Sequence, residues 1–129
     1  VLNIRRVEIA VIGEMLEDHN FDSVRMAWGG VPDPDPYQVW HSSQAKGRGS
    51  NYVSYNNPEV DVLIEQAREV FDPLERWSIM RQIYRIIHKD QPYTFMFHFD
   101  QLTFYNRDLR GVKFYLFDPT YDLTEWWYK

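Results

Sequence analysis

The chain contains no cysteine, which excludes both a disulfide framework and a thiolate metal site. No apolar run approaches the ~18 residues of a membrane span. Charge of one sign is never gathered into a block: 14 basic and 19 acidic residues are interspersed, for a net charge of −5. Without a basic stripe, and with the wrong overall sign, nucleic acid is not a partner this composition supports. The four histidines, His19, His41, His88 and His98, stand far apart with no metal-ligand spacing. No nucleophile elbow surrounds the serines of "HSS" (41–43) or "GSN" (49–51). The glycines of "KGRGSN" (46–51) do not have phosphate-loop spacing. No catalytic constellation is left, and no cofactor is called for. The first residues, "VLNIRRVEIAV", also lack the initiator, basic head and apolar core of a signal peptide. They read as a strand entered partway along, as though cut from a longer chain.

What the chain has in excess is aromatic side chains, 17% of its 129 residues, with eight Phe, nine Tyr and five Trp. Flat, rigid groups in that number suit a dense core or a surface that grips ligands. The length is that of one domain with a real core. Residues 2–10 read as a strand, 11–19 as a short helix and 21–28 as a second strand, the order of a βαβ unit and an α/β fold.

One device then recurs: a polar cap followed by proline at the first helical position. It occurs as "DPYQ" (35–38), "NPEV" (57–60) and "DPLE" (72–75), the first and third also with capping-box spacing. "SSQAKGRGSNYVSYN" (42–56) is a loop. The second device opens a helix with Val60, Leu63, Ile64 and Ala67 on one face. The third opens a longer one with Leu74, Trp77, Met80, Ile83, Tyr84 and Ile87 at helical spacing. Both stripes are expected to be core. "QPY" (91–93) ends the helical part. "YTFMFHF" (93–99), "LTFYN" (102–106) and "VKFYLF" (112–117) read as strands, with a turn over 106–111. The tail "DLTEWWYK" (122–129) is too aromatic to be solvated and needs something to pack against.

The stretch "WGGVPDPDPYQVWHSSQ" (28–44) is not explained by folding alone. Each proline fixes its own φ and pushes the preceding residue towards extended backbone, so 31–36 is stiff before any tertiary contact forms. Asp35 has a local role, as cap of the 36–41 turn. Asp33 has none. It follows an expected strand, on a rigid loop, between Trp28 and the Tyr37/Trp40 pair, and ligands of α/β sheets lie at such loops. An acid solvated on a turn fits the same residues.

Four blocks, "FDSVRMAWGGVPDPDPYQVWHSSQ", "GSNYVSYNNPEVDVLIEQAR", "DPLERWSIMRQIYRIIHKDQPYTFMF" and "YNRDLRGVKF", together resemble the family 5 extracellular solute-binding proteins, receptors of peptide and nickel ABC importers. The resemblance covers nearly the whole chain. It implies a C-terminal fragment of a protein several times longer, with a two-lobed periplasmic-binding-protein-like fold of the type II, peptide-binding class. Residues 1–98 would be part of the C-terminal ligand-binding lobe, and 99–129 a β-rich crossover returning to the other lobe. In that lobe Phe114, Tyr115, Phe117, Trp126 and Trp127 would find their partners.

The resemblance implies no enzymatic activity. It implies a periplasmic or membrane-anchored extracellular location, a peptide or similar small polar solute as ligand, and a membrane permease as partner. It also implies a ligand-binding wall of Arg25, Trp28, Gly29, Gly30, Val31, Asp33, Tyr37 and Trp40. Peptide-binding members often hold the ligand's ammonium with an aspartate where this chain has Val31, and Asp33 stands two positions on. Glu8-Ile9 replaces the glutamate–tryptophan pair that oligopeptide-binding members can carry, and Arg25 matches an arginine that pairs a ligand carboxylate in some of them.

Two other readings stand beside this one. One is a hydrolase in which Asp33 and Asp35, with His41, act as acid/base pair or hard-metal ligands. The other is a homo-oligomer assembled through the aromatic tail.

Overall fold

A computed structural model of the chain describes residues 3–31, 33–100, 102–117 and 119–129. Leu2, at the start of the expected first strand, and Pro32, one of the stiffening prolines, lie outside the described residues. The elements are helices α1 (Ile9–Glu17), α2 (Tyr37–Trp40), α3 (Pro58–Glu69) and α4 (Pro73–Asp90), a 3₁₀ turn at Ser42–Ala45, and strands β1 (Leu109–Arg110) and β2 (Trp127–Tyr128). They fall into two compact units, one of Val1–Met26 and Asp35–Phe95, the other of Ala27–Pro34 and Met96–Lys129.

In the first unit the helix boundaries follow the capping chemistry. Asn57 accepts hydrogen bonds from the N–H groups of Glu59 and Val60 and is followed by Pro58, so α3 starts where its first donors find an acceptor. Asp72 does the same for Glu75, ahead of Pro73. α4 stops because Gln91 takes a left-handed conformation, φ 50°, and Pro92 cannot continue the ladder. α1 ends in a Schellman motif: His19, φ 51°, donates its N–H to Leu16 O and Asn20 donates to Met15 O.

α3 and α4 are joined by three residues and pack together through Val60, Ile64 and Ala67 on one side and Met80, Ile83 and Ile87 on the other. Ile83 is 0% exposed, and burying each such side chain contributes roughly 1.5–3 kcal/mol. The long α4 stripe is narrower than expected. Leu74 is 81% exposed, and Trp77 and Tyr84 are also on the surface. At about 100° per residue these three lie round the flank from Met80 and Ile87, and the single neighbouring helix covers only one side.

The loop between α2 and α3 is held from inside. Asn51 is 1% exposed; its amide donates to His41 O and Tyr55 O, and its oxygen accepts the Tyr55 N–H. Every polar atom of this buried side chain is used. Gly49 has no room for a side chain, since a Cβ there would sit 1.9 Å from Gln44 O. The glycines of 46–51 thus close a tight loop.

Among the described residues the expected βαβ unit does not form. Residues 3–8 and 20–28 carry no strand, and α1 begins two residues early, at Ile9. Nor do 93–99 or 102–106 form strands, and over 112–117 the pairing is a single bridge, Phe114 to Tyr121. A strand exists only by hydrogen bonding to a neighbour, and among the described residues the one ladder is β1 with β2, antiparallel, Leu109 opposite Tyr128 and Arg110 opposite Trp127. The architecture is therefore mixed, helical with one small sheet.

In the second unit the tail folds back on its own strand. Trp126 packs against Phe114 and Tyr121, ring centroids 6.1 and 5.9 Å away, and Phe114 against Tyr105 at 5.9 Å. Of the aromatics expected to find partners in the other lobe, Phe114 and Trp126 thus make ring contacts within this unit, although Phe114, like Tyr115 and Trp127, is still exposed. Gly111, φ 70°, turns the chain where a Cβ would meet Glu125 O at 2.0 Å. Lys113 is ion-paired with Glu125 across this turn.

Candidate functional site

The sequence-derived wall is divided between the two units. Arg25, Tyr37 and Trp40 belong to the first; Trp28, Gly29, Gly30, Val31 and Asp33 belong to the second.

In the first unit the proline stretch ends in a turn that is closed from three directions. Asp35 Oδ1 accepts the Tyr37 N–H at 3.0 Å, as an Asx turn one residue ahead of α2, whose N-cap is Pro36 rather than the expected Asp35. Its other oxygen, Oδ2, pairs with Arg68 Nε at 3.2 Å. The same Arg68 guanidinium lies 4.4 Å from the centre of the Tyr37 ring, a cation–π contact. His41 stacks on that ring with centroids 4.4 Å apart and planes 25° from parallel. The Tyr37 hydroxyl meets Ser43 Oγ at 3.1 Å. Tyr37 is therefore held at its backbone, its ring and its hydroxyl.

Trp40 is buried more deeply than Tyr37. It is 7% exposed, edge-on to Tyr55 at 5.8 Å and tilted against Tyr93 at 4.6 Å, within the core cluster. The four-residue α2 thus buries Trp40 in the core, while Tyr37, three residues earlier and on the same side of the helix, is partly buried against the edge of that core.

His41 caps the 3₁₀ turn with its ring, Nδ1 accepting the Ser43 N–H at 3.2 Å and lying 2.8 Å from Ser43 Oγ. With Nδ1 an acceptor, Nε2 carries the hydrogen and faces Glu65 Oε1 at 3.4 Å. Serine, histidine and glutamate are in line here, but as a helix cap. The Ser43 oxygen is also contacted by Tyr37 and Gln44. Asp61 of α3 accepts from both the N–H and the hydroxyl of Ser42, tying the turn to the core.

Further along, Asp90 accepts from the Tyr55 hydroxyl at 2.6 Å and from Asn57 at 2.8 Å. These bonds hold its carboxyl below the usual carboxylate range, while burial and the same carboxylate push the Tyr55 phenol up. Burial and the charge of Asp35 raise Tyr84 in the same direction.

In the second unit Trp28 and Val31 are exposed and Asp33 is on the surface. A Cβ on Gly30 would meet only the Phe117 ring, at an ordinary 3.7 Å.

The hydrolase reading needs Asp35 as one member of a pair, and both of its oxygens are engaged, by the Tyr37 N–H and by Arg68. Among the described residues no group of three or more His, Asp or Glu is arranged to hold a metal ion. Arg68, Ser43, Asp61 and Asn51 were not singled out from the sequence. Their partners lie up to 33 positions away, as Arg68 does from Asp35, and no local pattern marks such a pairing.

No family model matches the sequence. Against curated proteins, the chain is 35% identical over 123 residues to the oligopeptide-binding protein AppA of Bacillus subtilis (strain 168), covering 94% of this chain and 22% of that protein. It is 26% identical over 101 residues to the nickel-binding protein NikA of Staphylococcus aureus (strain NCTC 8325 / PS 47), covering 78% and 21%. With the probable D,D-dipeptide-binding periplasmic protein DdpA of Escherichia coli (strain K12) it shares 25% identity over 118 residues, covering 88% and 22%. The solved structure of AppA in complex with a nonapeptide superposes with a TM-score of 0.67 at 33% identity, covering 95% of this chain and 25% of that one. The chain thus spans about a fifth to a quarter of the length of its relatives. Its order of caps, helices and proline stretch, and its similarity to these proteins from end to end, have one explanation: the chain belongs to the family 5 extracellular solute-binding proteins.

Proposed function

We propose that this chain is part of a receptor for an ABC importer, one that binds a peptide or similar polar solute and performs no chemistry on it. The observation that carries the reading is the match to an oligopeptide-binding protein, in sequence over 94% of the chain and in structure over 95%. In this reading residues 1–98 are part of a C-terminal ligand-binding lobe, and 99–129 cross back to a second lobe of a type II fold. Closure of two lobes over the ligand is the motion such receptors use. The receptor works in the periplasm or anchored outside the membrane, and delivers its ligand to a permease.

The ligand wall is Arg25, Trp28, Gly29, Gly30, Val31, Asp33, Tyr37 and Trp40. Trp28 and Tyr37 supply apolar and stacking contact, with Trp40 behind Tyr37 as its anchor in the core. The glycines let the backbone approach the ligand, Arg25 attracts a carboxylate, and Asp33 takes the ligand ammonium in a charge-assisted bond. Asp35, already shared between the Tyr37 N–H and Arg68, is left out of this set.

Calorimetric titration of the receptor that carries this chain, with a set of short peptides and with Asp33→Ala alongside, tests the proposal. Losing a charge-assisted bond weakens binding about 10- to 100-fold, so the variant is expected to bind that much less tightly. Peptides bound equally well by the variant would remove Asp33 from the site. A receptor that binds no peptide would overturn the peptide reading as a whole.

A further inference from the structure

α2 has four residues, too few to hold a helical turn by its own hydrogen bonds. Its geometry must be imposed from outside, and one side chain outside the proline stretch touches two of its fixed points. Arg68, on the last turn of α3, places Nε 3.2 Å from Asp35 Oδ2 and its guanidinium carbon 4.4 Å from the centre of the Tyr37 ring. We infer that Arg68 is a positioning residue for the ligand wall, fixing the Tyr37 ring and the Asp35 turn in a single geometry; the inference rests on the reading of that wall as a binding surface.

The chemistry asks for arginine in particular. A planar guanidinium bonds at its edge to a carboxylate while its face covers a ring, and a lysine ammonium, a point charge, does not do both from one place. Arg68 and Asp35 are both about half exposed, so the ion pair alone is worth little. Its weight comes from being shared: Asp35 also accepts the Tyr37 N–H, and Tyr37 is also stacked on His41 and bonded to Ser43. α3 is the rigid part of this arrangement, buried against α4 through Val60, Ile64 and Ala67, a stripe that Arg68 flanks. Arg68 therefore ties the Tyr37 ring, itself partly buried against the core, to α3 as well. It also occupies the Asp35 carboxylate, so that this acid presents no open charge to a ligand.

The test uses the full receptor with Arg68→Lys, Asp35→Asn and the double variant. Three quantities are read: the ring resonance of ¹³C-labelled Tyr37, assigned with Tyr37→Phe; the affinity for a synthetic nonapeptide; and the thermal midpoint. Arg68→Lys is expected to shift the Tyr37 resonance and to weaken the nonapeptide up to about tenfold. The thermal midpoint should move by no more than about 3 °C. Asp35→Asn should do the same, and the double variant should be no weaker than the worse single, because both break one linked contact. Were charge the only contribution, lysine would rescue it. An Arg68→Lys receptor with an unchanged Tyr37 resonance and wild-type affinity would overturn the inference, as would effects of the two substitutions that add in full. A wild-type receptor that does not bind the nonapeptide counts against the peptide reading above, and the Tyr37 resonance then decides for Arg68 by itself: moved by lysine, the positioning role stands; unmoved, it falls.

Discussion

The unit of Val1–Met26 and Asp35–Phe95 and the unit of Ala27–Pro34 and Met96–Lys129 draw their order from different sources. In the first, capped helices start at their first available donors, and a contiguous core runs from Trp40 through Val60 and Ile64 to Ile87. In the second, two-residue strands and a few aromatic contacts do the work, and Phe97, Phe99, Phe104, Leu116 and Trp127 stay exposed. Helical order is made within a segment. Sheet order is made between segments, and a segment with one short partner stays open at its other edge.

That contrast is open to attack from several sides. The largest expected effect is in the helix pair. Ile83→Ala, at a side chain 0% exposed, should cost about 2–5 kcal/mol through lost burial and a cavity. Phe104→Ala, at one 91% exposed, should change stability in this chain by no more than about 0.5 kcal/mol. Urea unfolding of this chain reads both, and equal costs would erase the distinction between the units.

A smaller effect sharpens it. Asp90 has its carboxyl lowered by the Tyr55 hydroxyl and Asn57. A carboxylate lowered in the folded state contributes stability that is fully present above its unfolded value and is lost as pH falls through the folded one. The first unit should therefore lose stability on acidification through and below the ordinary carboxylate range, and Asp90→Asn should flatten that part of the profile. Because Asp90 is on the surface, the change should be modest. An unaltered acid limb in the variant would show that the bonds to Tyr55 and Asn57 do not set the carboxyl.

What could be read in the sequence follows the same division. The caps at Asn57 and Asp72 are legible because cap, proline and first turn are contiguous, and so are the stripes through Val60, Ile64 and Ala67 and through Met80, Ile83 and Ile87, because the helical repeat carries them. The exposure of Leu74, Trp77 and Tyr84 was not. A repeat shows which residues share a side of a helix, but not how much of that side a neighbour covers. Over 3–8, 21–28 and 93–99 the expected strands do not form, because aromatic and β-branched composition describes a segment's fitness for a sheet, and the partner decides whether there is one. At the candidate site, the bond from Asp35 to a backbone N–H just after the proline is legible, although Pro36 is the N-cap; its bond to Arg68 is not, since that bond joins positions 33 apart.

The central proposal is that Arg25, Trp28, Gly29, Gly30, Val31, Asp33, Tyr37 and Trp40 belong to a wall against which a peptide binds. Hydrogen–deuterium exchange of the receptor that carries this chain, with and without a saturating nonapeptide, tests it most directly. The account predicts that backbone amides within 25–40 gain protection on binding, while the α3–α4 core, already protected, changes little. Tight binding with no added protection over 25–40 would contradict it.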